Sequence, residues 1–186
     1  MATNAFLKKK WERVFYTFFD TNQNKVIDWN DFELLFEKIK ELRGPDSKEY
    51  RIVSEAMGIV WDGLLSGTQR TLKKDDAEVS IDDWNRIWSR FDPKQMPIWQ
   101  WEYLKYMFFL IDTSGDKLID KTEFTEVMQI FGMSEADAAI SFDKIAVDDK
   151  GEAIEKIDYG QFADLWRDYF SSTDPNRPGS WLFGPW

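Results

Sequence analysis

Shifting the chain by 92 residues (112 − 20) lays "FFDTNQNKVIDWNDF" at 18–32 over "LIDTSGDKLIDKTEF" at 110–124. The twelve-residue segments 20–31 and 112–123 agree at Asp, Thr, Lys, Ile and Asp, and Phe32 meets Phe124 just beyond them. Later in each half, "WNRIW" at 84–88 corresponds to "FADLW" at 162–166. A repeat of this kind constrains the fold more than composition can, because one supersecondary unit has to be built twice.

The flanks of the repeated segments are helical in pattern. Leu7, Trp11, Val14, Phe15 and Phe18 recur at steps of three and four, as do Phe32, Leu35, Phe36, Ile39 and Leu42 before "GP" at 44–45. Val53, Met57, Val60, Trp61 and Leu64 mark a third helix, and Trp84, Ile87, Trp88 and Phe91 a fourth. "DPKQMP" at 92–97 breaks the chain. The second half follows the same plan. "WQWEYLKYMFFLI" leads into 112–123, followed by Phe124, Val127, Met128 and Phe131. Ser134 with Asp137 reads as a capping pair ahead of "ADAAISFDKI", and Phe162, Leu165, Trp166 and Tyr169 form the last helical face. The pattern predicts an all-α protein with four helix–loop–helix units in two pairs. The first pair takes 1–92, a linker 93–97, the second pair 98–171 and a tail 172–186.

The loops carry the chemistry. A calcium-binding loop between two helices needs oxygen donors at positions 1, 3, 5, 7, 9 and 12, with a backbone carbonyl at 7. In 112–123 these are Asp112, Ser114, Asp116, the Leu118 carbonyl, Asp120 and Glu123. Four carboxylates in one short loop repel one another unless a cation joins them. A two-oxygen Glu at position 12 favours the larger shell of calcium over the octahedron of magnesium. Asp, Gly and Ser also suit an ordinary acidic turn, but a turn does not explain donors at every required spacing with Ile119 at position 8. Lys117 stands at position 6, where glycine usually supplies a positive φ.

The first loop offers Asp20, Asn22, Asn24, the Val26 carbonyl, Asp28 and Asp31. It has three carboxylates instead of four, and Asp31 is one methylene shorter than Glu. Both differences lower calcium affinity and let magnesium compete. The other two loops lack the set. Aligning Trp84 with Phe32 puts Leu72 and Lys74 at positions 1 and 3, with only Asp76 and Asp83 matching. Aligning Phe162 with Phe124 puts Lys150, Glu152, Ile154 and Gln161 at positions 1, 3, 5 and 12. These two loops are read as metal-free braces. Position 8 is apolar in all four loops (Ile27, Val79, Ile119, Ile157), which predicts a short antiparallel bridge between paired loops.

Composition narrows the rest. The net charge is −10, which argues against a nucleic-acid surface. The "KKK" at 8–10 is read as a solvated helix face. With no cysteine and no histidine there is no disulfide, thiolate nucleophile, zinc ribbon or catalytic triad, so an enzyme is not expected. The longest apolar run, "YMFFLI" at 106–111, is far short of the roughly 20 residues of a membrane span. "MATNAFLKKKW" has no secretory apolar region, and Ala2 excludes myristoylation. A cytoplasmic monomer without a membrane anchor is expected.

The chain resembles the EF-hand proteins, and among them the sarcoplasmic calcium-binding proteins of invertebrates and calexcitin. "VIDWNDFEL" (26–34), "IVWDGLL" (59–65), "DTSGDKLID" (112–120) and "LFG" (182–184) carry the resemblance, which covers nearly the whole chain. It implies four EF-hands packed as one globule and a role as cytosolic calcium buffer or neuronal calcium signal carrier. A GTP-binding role associated with calexcitin finds no support, since the chain has no Gly-Lys dipeptide for a phosphate-cradling loop.

Two functional readings follow. A Ca2+/Mg2+ buffer would use two loops, calcium at 112–123 and calcium or magnesium at 20–31. A sensor would expose an apolar surface, or release its tail to a protein target, when calcium arrives. Six scattered methionines against fifteen Phe and ten Trp suggest a rigid core. The tail's Trp181, Leu182, Phe183 and Trp186 are expected to pack into a groove between helices, which favours the buffer.

Overall fold

Position 8 of each loop organises the fold. In the computed structural model, which describes residues 4–70 and 77–186, strand β1 (Val26–Ile27) pairs antiparallel with β2 (Val79–Ser80). Strand β3 (Leu118–Asp120) pairs likewise with β4 (Lys156–Asp158). Ile27 stands opposite Val79, and Ile119 opposite Ile157. All four side chains are fully buried.

Helices flank the strands. Among the described residues they are α1 (Ala5–Val14), α2 (Trp29–Arg43), α3 (Lys48–Thr68) and α4 (Ile81–Trp88). Further along the chain come α5 (Ile98–Ile111), α6 (Lys121–Ile130), α7 (Glu135–Ile145) and α8 (Tyr159–Ser171). The all-α helix–loop–helix architecture is the expected one. Helices α2, α4, α6 and α8 each start with a reciprocal capping box: Asp28 with Asp31, Ser80 with Asp83, Asp120 with Glu123, and Asp158 with Gln161. Loop positions 9 and 12 are thus the N-cap and third residue of a helix, where an oxygen acceptor satisfies N–H groups that have no partner within the helix. Ser134 also caps α7, accepting from the Asp137 N–H.

Two details depart from the sequence reading. The first helix does not run regularly to residue 19. It widens into a π-helical turn over Phe15–Phe19, closed by the Asp20 N–H donating to the Phe15 carbonyl. That turn lets Phe18 and Phe19 both face inward and buries Asp20 behind them. The second departure is Lys10. Lys8 and Lys9 are exposed as a solvated face should be, but Lys10 is wholly buried. Its ammonium donates 2.8 Å to the Ser172 carbonyl and 3.3 Å to Ser180 Oγ, over the rings of Phe6 and Tyr169. Lys10 lies three residues after Leu7, on the apolar face, so the helical period itself places it inward. Leu42, expected in the core, is half exposed.

The chain divides into two units, Trp11–Tyr106 and Met1–Lys10 with Met107–Trp186, whose boundaries fall inside α1 and α5. The first is cored by aromatics. Phe19 lies against Trp84, Phe32 against Trp61, and the Trp84 indole donates to the Trp11 carbonyl. Trp29, the first residue of α2, stacks on Phe32 and lies 6.5 Å from Trp61. Gly63 on α3 touches the ring of Trp99 so closely that a Cβ would come within 2.2 Å of it. In the other unit Phe108 meets Phe162, and Phe124 meets Phe142. Beyond α8 the tail forms a 3-10 turn over Pro178–Trp181 and buries Leu182 and Phe183. Phe183 packs on Trp166, Tyr169 and Phe170 of α8, while Lys144 of α7 lies over Trp181. Burial of two such side chains stabilises the docked tail by roughly 3–6 kcal/mol before ordering costs.

Candidate metal centres

The first loop is organised by its own acids. Asp20 Oδ1 accepts from the Asn24 N–H at 2.9 Å and Oδ2 from the Lys25 N–H at 3.0 Å. Asn22 Oδ1 accepts from Asn24, and Asn24 Oδ1 from Val26, the residue that opens β1. Asp28 Oδ1 caps Asn30, and its Oδ2 accepts from the Asn24 amide. Asp31 spans the loop, taking the Asn22 N–H on Oδ1 and the Asp28 N–H on Oδ2.

The third loop repeats this scheme. Asp112 accepts from the Gly115 and Lys117 N–H groups, and Asp116 from that of Leu118, which opens β3. Asp120 Oδ1 caps Glu123. Glu123 takes the Ser114 N–H and the Thr113 hydroxyl on Oε1, and the Asp120 N–H on Oε2. Positions 1 and 12 are buried in both loops, at Asp20, Asp31, Asp112 and Glu123. Among the described residues no three acidic side chains converge into a ready-made cage. The acids are instead held by backbone N–H groups around one loop.

The backbone has the turns that the loop needs despite its residues. Lys25 and Lys117, at position 6, have φ of 73° and 67°. Position 4 is also left-handed, at Gln23 in the first loop and Gly115 in the third. Each non-glycine residue there costs about 1–2 kcal/mol, so the first loop holds two strained residues against one in the third.

Position 12 separates the four loops. Asp31 and Glu123 are buried carboxylates that no lysine or arginine of the described residues bonds. Burial pushes the Asp31 carboxyl above its ordinary range, with Asp28 and Asp20 adding repulsion against the lowering effect of the two backbone bonds. Asp83, in the second loop, carries two guanidinium groups: Arg70 at 2.7 Å and Arg86 at 3.2 Å. In the fourth loop the group is the neutral amide of Gln161, whose Oε1 accepts the Asp158 N–H. The donor sets at 20–31 and 112–123 are all oxygen and spaced around a left-handed turn, so they fit a hard divalent cation. The positions Leu72, Lys74 and Asp76 lie outside the described residues.

Two basic contacts escape the sequence reading. Arg70 reaches Asp83 across thirteen residues, with no local signal. Lys156 of β4 bonds Asp116 Oδ2 at 2.7 Å and so holds that carboxyl below its ordinary range. Pairing Ile119 with Ile157 sets Lys156 opposite Asp120, so the lysine's presence beside the loop was available from the repeat.

No known family profile matches the chain. It is 32% identical over 181 residues to Calexcitin-1 of Caenorhabditis elegans, spanning 97% of this chain and 87% of that one. It is 26% identical over 149 residues to sarcoplasmic calcium-binding proteins I, III and IV of Branchiostoma lanceolatum, spanning 76% and 79%. A sarcoplasmic calcium-binding protein from amphioxus superposes with a TM-score of 0.78 over 99% of this chain and all of that one, at 22% identity. The last of these likenesses speaks to the fold alone.

Proposed function

We infer from this chain's family, the calexcitin and sarcoplasmic calcium-binding EF-hand proteins to which it belongs, that it is a Ca2+/Mg2+ buffer with two working loops. Calcium binding follows from the family; the count of loops, the place of magnesium and the buffering role are our reading. The observation that carries the count is position 12. Asp31 and Glu123 are buried carboxylates that no lysine or arginine of the described residues bonds directly, whereas Asp83 is bonded by two arginines and Gln161 has no charge.

At 112–123 we assign Asp112, Ser114, Asp116, Asp120 and Glu123, with the Leu118 carbonyl, as the calcium ligands. At 20–31 we assign Asp20, Asn22, Asn24, Asp28 and Asp31, with the Val26 carbonyl, to calcium or magnesium. A bound divalent ion would supply the positive charge that offsets each loop's carboxylates. The protein's own part is to hold those oxygens by backbone hydrogen bonds and to fix position 12 as a helix-capping residue. The shorter Asp31 and the strained Gln23 make the first loop the weaker one.

The docked tail supports buffering over sensing. Phe183 is buried among aromatic residues of α8, and the tail also packs on α7, so that face is covered by the chain itself. No catalytic role is assigned to the loop acids. No helix among the described residues is long and apolar enough to cross a membrane. Calcium titration calorimetry with and without millimolar magnesium tests the reading. Two sites are expected, only one of them weakened by magnesium. Three or more tight sites, or none, would refute it.

A further inference from the structure

We propose that Arg70 is a resident cation of the second loop, a side chain standing where the working loops take up an ion. Val79 opposite Ile27 fixes the register and makes Glu78 position 7 and Asp83 position 12. In a metal-binding loop these positions provide a backbone carbonyl and the closing carboxylate. One nitrogen of Arg70, Nη2, reaches both: 2.8 Å to the Glu78 carbonyl and 2.7 Å to Asp83 Oδ2. It joins two of the groups that a loop cation would join, those at positions 7 and 12.

Its placement is local. Helix α3 ends at Gln69 in a left-handed turn, and the Arg70 N–H donates to Thr68 Oγ1. From there the half-exposed guanidinium reaches the Glu78 carbonyl and Asp83. An exposed ion pair contributes little, but only the Arg70 end is open here. Asp83 is buried, and the same Oδ2 accepts from the Ser80 N–H and hydroxyl as the return arm of the α4 capping box. Arg86 neutralises the other oxygen from the exposed side. A charge-assisted, planar donor is suited to a buried carboxylate.

The second loop is therefore loaded without metal. Because β2 pairs with β1, it braces the first loop in the resting protein and lets loop 20–31 bind its ion alone. This explains how a pair with one degenerate loop keeps its sheet without a second ion.

The test compares R70M and R70Q with R51M, which removes an exposed arginine from α3 at a distance from the loop. The first readout is hydrogen exchange of the β1 and β2 amides in chelator. Protection is expected in the wild type and R51M, and its loss in R70M and R70Q. This arm does not depend on any assignment of metal ligands. The second readout is divalent affinity at 20–31, expected to fall about three- to tenfold in both Arg70 variants and to recover in part in R70K. This arm rests on the site proposed above, so absence of any binding at 20–31 in the wild type would fail that site and leave the exchange result to decide on Arg70. Unchanged protection in R70M and R70Q would overturn the proposal. So would one additional bound ion per molecule in either variant, which would make Arg70 a blocker of a latent site. Should R70M not fold, R70Q alone decides by the same outcomes.

Discussion

At position 12 a single side chain caps a helix and closes a loop, and the four examples here separate the two roles. Gln161 caps as Glu123 does, through the same backbone N–H, yet is neutral. E123Q should therefore leave α6 intact, with unchanged far-ultraviolet circular dichroism, while calorimetry loses the calcium-preferring site. The opposite exchange applies to Asp31, whose carboxylate stops one methylene short. In D31E the side chain can offer both oxygens. Calcium affinity at 20–31 is expected to rise about five- to tenfold and its suppression by millimolar magnesium to shrink. An unchanged magnesium effect would show that side-chain reach does not set the ion preference proposed for this loop.

At the scale of elements, most of the fold was legible because it obeys local rules. The apolar period marks the helices, the break at 92–97 falls between α4 and α5, and the isoleucine or valine at position 8 predicts both strand pairs. The left-handed turn at loop position 6 was implied by spacing even where lysine replaces glycine, whereas the one at position 4 was not. What was hidden depends on long side chains meeting across the fold, for which sequence has no period. Lys10 shares its face with Leu7 but reads as one of three lysines, and Arg70 lies outside the loop it serves. Lys156 is an intermediate case, since the strand register places it beside the third loop but does not say that it bonds Asp116. Its ammonium competes with any cation for that carboxylate. K156M should raise calcium affinity at 112–123 by about two- to fivefold, the range of an exposed ion pair. K121M, which breaks a pair with Asp143 instead, should change it less. Equal effects in titration would mean that only net charge matters.

For the molecule as a whole, two divalent ions change the formal charge from −10 to −6, that is −10 + 4. A buffer should show that change with little new apolar surface, so dye fluorescence should differ by less than about twofold with and without calcium. A large calcium-induced rise would favour the sensor. The tail's anchor also gives a pH signature. Burial lowers the Lys10 pKa from 10.5 to about 8, with Asp168 opposing. Between those values the unfolded chain binds more protons than the folded one, so Lys10 makes stability rise with pH from about 8. Above pH 10 the buried Tyr103 and Tyr106 phenols, both pushed up by burial, act in the opposite direction. Chemical denaturation of K10M should show a flatter profile than the wild type between pH 8 and 10.

The indole of Trp29 makes the first loop visible to light. Trp29 is the first residue after the Asp28 cap, stacked on Phe32 and inclined at 51° to Trp61. The equivalent place in the third loop is Lys121, which neither absorbs nor emits in the near ultraviolet. Ion uptake at 20–31 should therefore shift tryptophan emission and the coupled indole bands of near-ultraviolet dichroism, while uptake at 112–123 passes almost unseen. A spectroscopist following emission alone would count one ion, the one that magnesium displaces, and a calorimeter would count two.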